Sequence, residues 1–114
     1  MTQDPNDDAN FTVASGETVT VSLQSVQCNC NTSAGFDGQP LVKQHSIPDI
    51  YSFTVAGASG DEKLFVSSCQ FLPGDPVTAH YTIGVAGSQG GAFTSSPVFM
   101  ETPNASFQLH FTIA

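Results

Sequence analysis

Arginine is absent from this 114-residue chain, and lysine occurs only at Lys43 and Lys63. Neutralising a phosphate backbone takes several lysine or arginine side chains, so nucleic-acid binding is all but excluded. Ten carboxylates leave a net charge of -8, which also disfavours anionic membranes. Charged residues of both signs make up 11% of the chain, against about 25% in an ordinary domain. Ion pairs therefore contribute little to stability, and the surface must be built from Ser, Thr, Asn, Gln and Gly. Such a surface suits neutral hydrogen-bonding ligands, sugars among them, and strand-rich assemblies. The net negative charge by itself also serves solubility.

Other absences narrow the reading further. No apolar run is long enough to cross a membrane, so no membrane insertion is expected. The opening segment, Met1-Thr-Gln-Asp-Pro-Asn-Asp-Asp8, has neither the basic nor the apolar region of a signal peptide. Either the protein stays where it is made or the chain begins after a cleavage. Helical spacing with a plausible cap is nowhere found. The chain lacks a Gly-x-Ser-x-Gly elbow, a phosphate loop and a His-Glu-x-x-His pair. Glu62 and Glu101 have no visible partner for two-carboxylate chemistry. The expectation is a protein that is not an enzyme and needs no cofactor.

What is present is a phrase written four times. Phe11-Thr-Val-Ala-Ser-Gly16, Tyr51-Ser-Phe-Thr-Val-Ala-Gly57, Tyr81-Thr-Ile-Gly-Val-Ala-Gly87 and the terminal Phe111-Thr-Ile-Ala114 are variants of one β-rich run. The first three end on small residues and glycine, as a strand entering a tight turn does. Period-2 alternation recurs at Val19, Val21 and Leu23, at Tyr51, Phe53 and Val55, and from Val77 to Val85. It recurs again over Ala105, Phe107, Leu109, Phe111 and Ile113. Between Lys63 and Phe71 both faces are apolar: Leu64 and Val66 point one way, Phe65, Cys69 and Phe71 the other, as in a central strand. Turn signals separate these runs. The pattern predicts an all-β fold, an antiparallel β-sandwich of jelly-roll or immunoglobulin-like kind with about seven or eight strands. Residues 1–9 read as a disordered acidic tail and residues 10–114 as one sandwich domain.

Residues 27–49 break the alternation, and long irregular loops in compact domains often carry function. Within 27–40, Asn29, Asn31, Asp37 and Gln39 offer hydrogen-bonding groups, and Phe36 offers a ring. A ring covering the C–H face of a sugar, with amide and carboxylate groups taking its hydroxyls, is one arrangement that binds carbohydrate. The competing reading has Phe36 folded back over the sandwich and the asparagines making turns. The expected function is a non-catalytic, lectin-like module for a neutral polar ligand, carbohydrate fitting best. The alternative is a structural subunit of a homo-oligomer or surface layer. It rests on the terminal strand Ala105–Ala114, which carries no Asp, Glu or Lys and would invite pairing as an edge.

Three cysteines allow one bridge, with Cys69 pairing to Cys28 or Cys30, or three thiols. Cys28-Asn-Cys30 is too tight for the usual structural zinc spacing, and no metal site is expected. His80 and His110 stand on the polar faces of their strands, and they would meet if those strands were neighbours. Asn10, Asn31 and Asn104 each open an N-glycosylation sequon. Those sequons tilt the compartment toward the cell exterior.

Overall fold

In the computed structural model the chain folds as a β-sandwich; residues 1–27, 31–70, 74, 79–95, 98–99 and 104–114 are described. The strands are β1 (Thr2–Gln3), β2 (Asn10–Val13), β3 (Glu17–Val26), β4 (Asn31–Phe36), β5 (Gln39–Pro40), β6 (Asp49–Val55), β7 (Glu62–Gln70), β8 (His80–Gly87), β9 (Ala92–Thr94), β10 (Val98–Phe99) and β11 (Asn104–Ile113). One sheet runs β1-β2-β11-β7-β4-β5 and the other β10-β8-β3-β6, with β9 also paired to β8. Every described pairing is antiparallel except β2 with β11, which is parallel.

Alternation explains which side chains meet. Val19, Val21 and Leu23 of β3, Tyr51, Phe53 and Val55 of β6, and Tyr81, Ile83 and Val85 of β8 are buried. They face Phe11 and Val13 of β2, Phe65 of β7, and Leu109, Phe111 and Ile113 of β11 across the sandwich. The four copies of the repeated phrase are therefore β2, β6, β8 and the end of β11, each turning its aromatic and branched residues inward. β3 and β11 read apolar-in and polar-out because one face of each sheet is packed and the other solvated, whereas β7 also turns Leu64 and Val66 outward.

Three expectations are corrected here. The acidic segment 1–9 is not a loose tail: Thr2 and Gln3 pair with Thr12 and Phe11, and Asp4 N–H donates to the Asn10 carbonyl. The stretch 31–40 is not an irregular loop: Asn31–Phe36 pairs with Gln70–Phe65 along β7, and Gln39–Pro40 pairs back onto β4. The terminal strand is not an edge: β11 lies between β7 and β2, paired with β7 from Asn104 to Thr112 and with β2 from His110 to Ile113. Its lack of Asp, Glu and Lys therefore does not mark an open edge.

The two sheets are also joined by a polar link. Thr32 of β4 donates through Oγ1 to Asp49 of β6 at 2.5 Å, and the same hydroxyl lies 2.8 Å from the buried Tyr51 hydroxyl. Lys43 balances Asp49 at 3.1 Å.

Candidate functional site

The outer face of the first sheet carries a groove of about 560 Å³. It is built from β4, β5 and β7. On β7 the inward positions are Phe65, Ser67 and Cys69, so Leu64, Val66 and Ser68 project outward. Register sets Ser33 beside Ser68 and Gly35 beside Val66. The Ser33 and Ser68 hydroxyls are 2.9 Å apart. Leu64 and Val66 form an aliphatic floor, and Val66 remains 38% exposed.

The wall comes from a tight hairpin. Asp37 and Gly38 both have positive φ, 51° and 77°, the signature of a two-residue type I′ turn that Asp-Gly favours. The turn brings Gln39 opposite Phe36 and Pro40 opposite Gly35. A Cβ on Gly35 would lie 3.1 Å from the Gln39 carbonyl oxygen, so glycine permits the close approach of β5. Gln39 and Pro40 then line the groove. None of its lining residues is charged. On β11, Gln108 and His110 stand beside Val66 and Leu64 on the same face. The His110 ring Nδ1 lies 2.7 Å from Glu62 Oε1.

The five residues expected to bind ligand are dispersed. Gln39 lines the groove. Asn31 is exposed on the face that carries Ser33, in register with Gln70. Asp37 sits in the turn and pairs with Lys63 at 3.3 Å. Phe36 is 9% exposed and stacks on Phe53 with centroids 4.1 Å apart, so its ring belongs to the core and offers no platform to a ligand. Asn29 lies outside the described residues, as do Cys28 and Cys30 and with them any bridge to Cys69. Cys69 itself is buried on the inward face of β7.

Leu64, Val66, Ser33 and Ser68 were not singled out as ligand contacts by sequence. Their signal was present: β7 has apolar residues on both faces, Leu64 and Val66 on one and Phe65 and Cys69 on the other, and Asp37-Gly38 is a strong hairpin mark. His80 and His110 fall on different sheets, β8 and β11, and so are not strand neighbours. Among the described residues no cluster of three or more His, Cys, Asp or Glu is placed to hold a metal ion.

One buried carboxylate lies away from the groove. Glu17 is fully buried at the start of β3. Burial alone would raise its pKa. The Ala14 N–H at 3.2 Å, the Met1 ammonium at 3.3 Å and the Gln89 N–H at 3.3 Å outweigh that and hold it below the ordinary glutamate value.

Comparison with protein-family models, curated proteins and solved structures gave no match.

Proposed function

We propose that this domain is a non-catalytic binding module for a neutral polar ligand, with carbohydrate the class that fits best. The observation that carries the reading is the uncharged groove between β5 and β7. An aliphatic floor of Leu64 and Val66 suits the C–H face of a pyranose ring, and the Gln39 amide and the Ser33 and Ser68 hydroxyls suit its hydroxyl groups. Gln108 extends the same polar face along β11. Stacking moves from the ring of Phe36 to an aliphatic surface, and the hydrogen-bonding set moves from the loop to the sheet face.

The test is a screen of neutral glycans followed by backbone NMR titration with any that bind. Shifts are expected at Ser33, Gln39, Leu64, Val66 and Ser68. Gln39→Ala and Val66→Asp alter exposed positions, so both should fold as the parent does and lose binding. An empty screen, or shifts that map to another face, overturns the proposal.

A further inference from the structure

Strand β6 pairs with β3 and with no other strand in the described residues. Its backbone polarity follows from the bonds around it. Gln44 N–H donates to the Ile50 carbonyl and Ile50 N–H to the His45 carbonyl, so Ile50 turns its polar groups away from β3. Alternation then points the N–H and C=O of Ser52 and Thr54 the same way, outward from the sheet. The segment before the strand covers this edge only at Ile50, through the bridge to His45. Beyond it, Ser52–Val55 carries none of the usual guards: no lysine, no proline and no bulge.

We propose that this edge pairs with the same edge of a second copy of the chain, joining the two β6 strands antiparallel about a two-fold axis at Phe53. The register is self-complementary. Ser52 of one copy meets Thr54 of the other, and each such pair exchanges two backbone hydrogen bonds, giving four across the axis. The Ser52 and Thr54 hydroxyls do not obstruct this, because they bond along their own sheet to Thr20 at 3.0 Å and Thr18 at 3.4 Å.

A second copy is the occupant for reasons of charge and surface. The chain carries a net charge of -8, yet Ile50–Gly60 has no charged side chain, and Asp49 is matched by Lys43. Screening reduces the remaining repulsion beyond roughly 8–10 Å at physiological ionic strength. The connection from β5 to β6 runs along this flank and exposes Val42 (84%) and Ile47 (86%). Ile47 is held at φ 56°, a conformation unfavourable to a β-branched residue. Two exposed aliphatic side chains beside an open edge gain burial from a neighbouring copy. Four hydrogen bonds and a small apolar shoulder make a weak, concentration-dependent dimer.

The experiment is sedimentation velocity on the whole chain across a wide concentration range, with amide hydrogen exchange at low and high concentration. A monomer–dimer equilibrium is expected, with the Ser52 and Thr54 amides becoming protected as dimer forms. Thr54→Pro removes an outward N–H, which edge strands tolerate, and should leave a monomer with an unchanged fold; Thr54→Val keeps the N–H and should dimerise. A parent chain that stays monomeric at every concentration overturns the proposal. So does a dimer in which the Ser52 and Thr54 amides exchange freely, a readout that stands even if Thr54→Pro fails to fold.

Discussion

Phe11 and Phe111 stack at 5.3 Å between centroids, with ring planes 18° apart, across the parallel pair of β2 and β11. The register sets Phe11 against Phe111, Thr12 against Thr112 and Val13 against Ile113. The first and last copies of the repeated phrase thus lie side by side, residue for residue. This contact ties the two ends of the chain into one sheet and closes its largest sequence separation. An aromatic pair in this geometry contributes about 0.5–1.5 kcal/mol beyond its area. A double-mutant cycle with Phe11→Leu and Phe111→Leu, read by urea unfolding, should return a coupling energy of that size. A coupling near zero would mean that the rings only fill space.

Glu17 supplies a pH dependence whose sign can be worked out. Its folded pKa lies below the ordinary glutamate value of 4.5. The stability it contributes is therefore fully present above that value and is lost as pH falls through the folded value. Glu17→Gln should remove this part of the acid-side loss while lowering stability at neutral pH, because the Met1 ammonium then has no counter-charge. Thermal unfolding from pH 7 to pH 3 checks both effects. Identical acid slopes for parent and variant would show that other carboxylates carry the transition.

Phe36 and Asp37 are adjacent in sequence and opposite in consequence. Phe36→Ala removes a core ring that touches Phe53 and Phe111 and should cost about 3–5 kcal/mol, a large share of a typical domain's about 5–15 kcal/mol. Asp37→Asn keeps a residue that tolerates positive φ and breaks only an exposed pair with Lys63. It should change stability by less than about 0.5 kcal/mol. Denaturant unfolding of both variants tests the contrast. A joint substitution of the two would report unfolding and could not report ligand binding.

That contrast also locates the limits of reading the sequence. β3, β6, β8 and β11 are legible because Val, Ile, Leu and aromatic residues alternate with polar or small residues. β4 is not, because its inward residues are Thr32, Ala34 and Phe36, of which only the last looks like core. Thr32 is buried through its bonds to Asp49 and Tyr51, partners 17 and 19 residues away, and no local pattern announces them. The edge positions were unreadable for a similar reason. Inner β11 and the Ile50–Val55 part of edge strand β6 both lack Asp, Glu and Lys, so the two look alike until pairing is known. The groove fell between these cases: both faces of β7 were assigned correctly, but β4 and β5 had to be placed before Leu64 and Val66 became a floor.

The groove wall depends on two glycines for different physical reasons, and substitution should separate them. Gly38 has open space where a Cβ would go, but its φ is 77°. Gly38→Ala should therefore cost about 1–2 kcal/mol from the left-handed backbone alone. Gly38→Asn should recover most of that, since asparagine visits this region readily. Gly35 has an ordinary φ, and its limit is the Gln39 carbonyl 3.1 Å from the added carbon. Because that neighbour is backbone in a two-residue strand, Gly35→Ala must push β5 away from β4. Gly35→Asn should be no better than Gly35→Ala, because a longer side chain does not relieve a clash at Cβ. Unfolding free energies of the four variants give the comparison. Amide shifts at Gln39 then distinguish a displaced wall in the Gly35 variants from an intact wall in Gly38→Asn. Rescue by asparagine at both positions would place the Gly35 constraint in its backbone angles, and the packing account of the groove would fail.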